Sequence, residues 1–228
     1  MSATTVNRAS AGARATRTAG GRLGAVAGVA FAILFLAGTA ILNIPNGASD
    51  QKLSAWWADG ANQITAIVSM YSFILAGLCF LAFLVQLRLR LLAAEGGAGA
   101  ATGLVVASGT VFVAMLFVAA ASRGVVGFAL KSPGANELLP GPDTLRYIPQ
   151  TGYAALGAAG LLAAAVAIGA CSWLIFRTRV FARWLGWLGV AAAVLIVAAN
   201  VALVGMIAIP AMLVWALATS AELWRGPR

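Results

Sequence analysis

The chain has 228 residues, 62% of them apolar and only 9% charged, with a mean hydropathy of +0.95. A soluble domain carries about a quarter charged residues, so a water-exposed fold could not cover this much apolar surface, whereas lipid solvates it directly. The formal charge of +9 sits in short clusters beside apolar runs and forms no stripe interleaved with stacking aromatics, which argues against nucleic acid as a partner.

Residues 1–22 hold Arg8, Arg14, Arg17 and Arg22 and no acid, a composition that predicts a disordered, basic cytoplasmic tail. Leu23 to Leu42 is an apolar run of twenty residues, about 30 Å as a helix and so long enough to span. It outruns the h-region of about 7–15 residues in a signal peptide, which favours a span over a cleaved leader despite the small residues Gly38-Thr39-Ala40. Turn chemistry follows at Asn43-Ile44-Pro45-Asn46-Gly47. Between Ser49 and Asp59, Leu53, Trp56 and Trp57 recur at i, i+3 and i+4, which predicts a short amphipathic helix on the outer interface with its indoles at headgroup depth.

The second span is expected from about Gln63 to Leu87, ending in Arg88-Leu89-Arg90, and the third from about Ala101 to Ser122. Gly124 to Gln150, with breakers at Pro133, Pro140, Pro142 and Pro149, reads as the longest outer connection. A fourth span covers Thr151 to Phe176 and leads into Arg177-Thr178-Arg179 and Arg183. Trp184 to Trp224 is then apolar for 41 residues with one acid, Glu222. As one helix that would measure about 60 Å, twice the hydrocarbon thickness, so it must cross twice. Gly205 and Pro210 suit the intervening turn.

The sum is an all-α polytopic protein: six transmembrane helices over residues 23–224, a short outer interfacial helix, and a cytoplasmic tail at 225–228. Parity supports it. With six crossings, eleven basic residues fall on the inner side against four on the outer (Lys52, Arg123, Lys131 and Arg146), a positive-inside bias that assigns both termini to the cytoplasm. The preference for Arg over Lys, with heavy Ala, Gly and Val use, suggests a GC-rich bacterial source and so a bacterial inner membrane. Anionic headgroups on that side are the expected partners of the arginine clusters.

Few residues suggest chemistry. The absence of histidine removes His-based metal sites, bases and triads. Cys79 and Cys171 lie inside apolar runs, where no disulfide framework is expected. Catalytic residues, metal ligands and cofactors are therefore expected to be none. Two polar residues are the binding candidates. Arg123 has two arrangements open to it. If the third helix ends at Ser122, the guanidinium snorkels into headgroups. If instead it continues through Val125, Val126, Phe128 and Leu130, Arg123 is in the outer leaflet and needs a water-filled cavity or an acid, with Asp50, Asp59, Glu137 and Asp143 available. Asn200, near the end of the fifth span, needs a neighbouring helix or the turn backbone. Glu222 is expected to pair with Arg225 one turn away. Glycines at four-residue spacing (Gly20, Gly24, Gly28 and Gly99, Gly103) fit close helix packing, within the bundle or between copies.

Four pieces carry a resemblance: Ile44-Pro45-Asn46-Gly47 with Trp56-Trp57-Ala58-Asp59; Leu87-Arg88-Leu89-Arg90-Leu91-Leu92; Val180-Phe181-Ala182-Arg183-Trp184-Leu185-Gly186-Trp187-Leu188-Gly189; and Leu213-Val214-Trp215-Ala216-Leu217-Ala218-Thr219-Ser220. Over about residues 20–225 the chain resembles a group of actinobacterial multi-pass membrane proteins akin to the domain-of-unknown-function family 4386. Many of that group have Pro-Arg where this chain has Ala182-Arg183. The resemblance implies no activity and transfers no functional residue. The sequence then leaves three functions open: a non-catalytic helper, regulatory or envelope component acting through lipids, a protein partner or a homo-oligomer; a transporter or channel for a small apolar or weakly polar solute; and a membrane-embedded lipid-modifying enzyme.

Overall fold

The computed structural model describes residues 3–45, 47–132 and 139–226, with side chains from Gly20 onward. Its long helices are α1 (Ala3–Ile41), α3 (Gly60–Glu95), α4 (Ala100–Lys131), α6 (Leu161–Thr178), α7 (Arg183–Val201) and α8 (Ile209–Arg225). Two short helices, α2 (Asp50–Ala58) and α5 (Pro142–Ala154), complete the set, and no strand occurs among the described residues. A π-helical segment, Ala155–Gly160, joins α5 to α6, and a 3₁₀ turn, Gly205–Ala208, leads into α8. Six stretches are long and apolar enough to cross a membrane: Gly20–Ile41, Gly60–Glu95, Ala100–Lys131, Pro142–Thr178, Arg183–Val201 and Gly205–Arg225. In lipid only structures that satisfy their own backbone groups can span, which is why the apolar runs resolve entirely into helix.

Several boundaries differ from the sequence expectation. α1 carries helical backbone back to Ala3, into the stretch whose composition suggests disorder; its alanines favour helix. The expected outer connection, Gly124 to Gln150, is largely helical. α4 runs on to Lys131, and α5 starts at Pro142, which occupies the first turn with Asp143 beside it. A proline there loses no bond, because the first N–H groups of a helix have no intrahelical acceptor, and an acid there complements the helix dipole. Pro133 and Glu137 lie outside the described residues. The last turn also differs. It is not Gly205 but Leu203 that takes the left-handed conformation, at φ 58°. Gly205 serves close approach instead: a Cβ there would stand 2.7 Å from the Gly157 carbonyl oxygen.

α2 forms as expected, but its indoles do not both rest at an interface. Leu53 and Trp57 are buried with Leu42, Ile44, Ala66, Val126 and Leu145 in a small core against α3 and α5. Gln63 and Asn62 donate to the Trp57 and Trp56 carbonyls at 2.8 and 3.0 Å, and Asp59 accepts from the Ala61 N–H at the start of α3. These bonds turn the chain sharply between α2 and α3. Arg146 of α5 pins the front of α2 through Asp50 at 2.7 Å and the Ala48 carbonyl.

The main core is an aromatic layer midway along the bundle. Phe31 and Phe80 meet in a tilted pair with centroids 4.7 Å apart, and Phe80 meets Phe112 at 5.1 Å. On α1 one face decides how the neighbours pack. Gly21, Gly24, Gly28, Phe31 and Phe35 recur at spacings of three and four and so share that face. Its glycine half lets α3 and α8 come close. A Cβ on Gly24 would lie 2.5 Å from that of Gln86, one on Gly21 would lie 2.9 Å from the Leu223 carbonyl oxygen, and one on Gly28 would overlap the Ser220 hydroxyl. Its phenylalanine half cannot be approached so closely. The small-residue repeat is thus used inside the bundle. Gly103, by contrast, faces open space.

Candidate functional site

Where α1 turns from glycine to phenylalanine, α1 and α8 part. The space between them is a cavity of about 550 Å³ whose walls come from α1, α3, α4, α5, the π segment and the start of α8. That is well within the range of about 300–1,000 Å³ typical of small-molecule sites. Phe35, Leu42 and Phe73 form one wall, Leu156 and Met206 another, and Ile209, Leu213 and Val214 a third. The polar side chains lining it are Thr39, Arg123 and Tyr153, and the Thr39 hydroxyl is bonded to the Phe35 carbonyl of its own helix.

Arg123 is the centre of this site. α4 continues two turns past it, so the guanidinium does not snorkel from a helix end. The residue is 6% exposed. α4 has 32 residues, and centred on a hydrocarbon slab it would hold Arg123 about 11 Å from the midplane, about 4 Å inside the boundary. Nη1 donates to the Tyr153 hydroxyl at 3.2 Å, and Nη2 to the Leu42 carbonyl at 3.4 Å. The guanidinium carbon lies over the rings of Phe73 (5.1 Å) and Tyr153 (5.6 Å), a cation–π arrangement. Nε is buried and has no acceptor.

The acids expected as partners are engaged elsewhere. Asp50 pairs with Arg146, Asp59 caps α3, Asp143 stands in the first turn of α5, and Glu137 is outside the described residues. Among the described residues no carboxylate pairs with Arg123. A guanidinium has five N–H donors, and two acceptors are in place. Nε is among those left over, in a cavity whose other polar side chains are Thr39 and Tyr153.

Asn200, the other candidate, does not join this site. Its Nδ2 donates to the Ile196 carbonyl at 3.0 Å, and its side chain packs against Gly205. It braces the turn between α7 and α8. Glu222 pairs with Arg225 at 2.7 Å at the opposite, basic end of the bundle, as its spacing suggests. Tyr153, Phe73 and the Leu42 carbonyl were not singled out from the sequence. Tyr153 had one signal: with Pro149 and Gly152 just before it, it opens an apolar run as a lone phenol. The closeness of α5 to α4 depends on Gly152, where a Cβ would overlap the Ser122 hydroxyl and stand 3.0 Å from the Ala119 Cα.

The fold and site together define an all-α, polytopic membrane protein with one buried, uncompensated arginine in a half-open cavity. Comparison with family models, curated proteins and solved structures finds no match for this chain.

Proposed function

We propose that this is a non-catalytic integral membrane protein of a bacterial inner membrane, both ends cytoplasmic, that holds a ligand with an anionic head and an apolar body in the Arg123 cavity. Kinship with the actinobacterial group akin to family 4386 belongs to the same proposal. The observation that carries it is a buried guanidinium with unused donors and no acid beside it. A charge in hydrocarbon costs a few kcal/mol on insertion scales, and such residues mark functional pathways or sites. An anion arriving at Arg123 would relieve that cost, while the surrounding leucines and phenylalanines would take an apolar body.

The orientation rests on Arg22, Arg88, Arg90, Arg177, Arg179, Arg183 and Arg225 gathering at one end of the spans, against Lys52, Lys131 and Arg146 at the other. A transport role fits less well, because all lining residues but Leu217 lie in the half of the bundle away from the arginine clusters, and the buried Phe31, Phe80 and Phe112 fill the middle. Lipid chemistry is the second reading, favoured by the convergence of Arg123 and Tyr153 on a lateral cleft. Among the described residues no thiol, carboxylate or serine lines the cleft, and the Thr39 hydroxyl is bonded to the carbonyl of its own helix with no base beside it to activate it.

Thermal unfolding in a neutral detergent tests the binding role. At a hundred times its Kd a ligand stabilises by about 2.7 kcal/mol. Decanoate should raise the midpoint clearly above decanol at equal concentration, and Arg123→Gln should erase the difference. Equal shifts from acid and alcohol in the unmodified protein would contradict the proposal.

A further inference from the structure

We infer that the occupant of this cavity is a single-chain carboxylate amphiphile, a long-chain fatty acid, and that it enters sideways from the bilayer through the gap between α1 and α8. The inference rests on the anion-binding role proposed for Arg123 and adds the ligand's class and its route. The route follows from what closes each side. Toward the end away from the arginine clusters, the small core of Leu42, Leu53, Trp57, Val126 and Leu145 begins directly beyond Arg123: Val126 is one turn on along α4, and Leu42 is the residue whose carbonyl accepts from the guanidinium. Toward the other end, the aromatic layer of Phe31, Phe80 and Phe112 fills the bundle. Among the described residues, the exposed lining positions all lie on α1 and α8: Leu36, Thr39, Pro210, Val214 and Leu217. Leu36 is 54%, Val214 51% and Leu217 39% exposed, and all three line the cavity. A rim that is apolar but for Thr39, whose hydroxyl is bonded to its own helix, admits an acyl chain and gives a hydrated ion little help in shedding its water.

The head is constrained as well. Among the described residues Arg123 is the one charged side chain lining the cavity, with the Tyr153 hydroxyl at 3.2 Å as its polar neighbour. A single guanidinium matches a monoanion, and its planar fork matches a carboxylate two bonds at a time. A phosphate monoester near two negative charges would require a second cation, and among the described residues none lines the cavity; a phosphodiester head is a monoanion and is disfavoured by its bulk instead. A glycerol-bearing head would also need an exit to water, where the Leu42–Trp57 core stands. The depth agrees: a carboxylate at Arg123 sits about 4 Å inside the hydrocarbon boundary, within reach of a fatty acid lying in that leaflet.

The experiment uses the full chain in nanodiscs of neutral lipid, with palmitate bearing a photoreactive group at its ω end. Three proteins are compared after each is shown to unfold cooperatively: unmodified, Arg123→Gln, and Val214→Trp, which fills the rim without touching the guanidinium. Labelling of α1 and α8 peptides should fall at least tenfold in both variants. In the unmodified protein, unlabelled palmitate should compete at least tenfold better than hexadecanol, and butyrate should not compete. Labelling lost in Arg123→Gln but kept in Val214→Trp would overturn sideways entry and leave the anion site standing. Labelling unaffected by Arg123→Gln, or equal competition by acid and alcohol, would overturn both. Should Arg123→Gln fail to fold, the competition series on the unmodified protein decides alone.

Discussion

Gly28→Val is the sharpest probe of the geometry that opens the cavity. A Cβ at Gly28 overlaps the Ser220 hydroxyl and stands 2.8 Å from Cδ2 of Phe83, a ring that is fully buried. Neither neighbour can yield cheaply. The Ser220 hydroxyl is bonded to the Ala216 carbonyl, and Phe83 packs on Phe80 at 5.5 Å. Overpacking of this kind costs about 1–3 kcal/mol, and valine's better helix propensity returns only about 0.3–0.5 of that. At about 2–4 °C per kcal/mol for a chain of this size, the midpoint should fall by about 2–10 °C in a mild detergent. Gly103→Ala is the matched control, since nothing lies within 4 Å of a Cβ there; it should rise by about 2–4 °C from the propensity gain of about 1 kcal/mol. Both proteins are read by intrinsic tryptophan fluorescence on heating. Equal shifts, or a stable Gly28→Val, would refute the close crossing of α1 and α8 at their glycine end, and with it the reason these helices part further on.

Leu203→Gly should raise stability by about 1 kcal/mol, because a leucine at φ 58° in a 93% exposed turn contributes strain and little packing; a loss of stability in a thermal melt would contradict the turn. Gly205→Ala should lower it by about 1–3 kcal/mol, since the neighbour 2.7 Å away is the backbone carbonyl of Gly157 and cannot rotate aside. Cys171 is fully buried and Cys79 only partly so. A membrane-permeant maleimide should therefore label Cys79 first and reach Cys171 only after denaturation, as read by intact mass; the reverse order would contradict the packing of α6.

Much of this fold is legible in the sequence because lipid allows so few solutions. Apolar runs long enough to span, broken by Arg88-Leu89-Arg90 and Arg177-Thr178-Arg179, leave little choice but helices joined at those hinges. The 41 apolar residues ending at Trp224 divide because no single helix of that length fits the bilayer. Less legible was the segment from Gly124 to Gln150, where prolines suggest a loop. Pro142 instead starts a helix, where its missing N–H costs nothing, and Pro149 is carried inside α5 at the loss of one intrahelical bond. The site was half legible. Arg123 stands out as the lone cation in an apolar run, and continuation of the helix past it was one of two open arrangements. Its partners could not be read, since they depend on Tyr153 and Leu42 arriving from segments 30 and 81 residues away in sequence. The switch on α1 from Gly21, Gly24 and Gly28 to Phe31 and Phe35 is present in the sequence, but it becomes a cavity only once α8 is known to lie alongside. Asn200 drew attention as a polar residue in a span, and it spends its bonds on the turn beside it.

Native mass spectrometry of the protein released from nanodiscs containing palmitate puts Arg123 to the most direct trial. One palmitate should remain bound per chain in the unmodified protein, with none in Arg123→Gln and none when hexadecanol replaces the acid. Equal occupancy with and without the guanidinium would contradict the view that this buried charge exists to hold an anionic lipid.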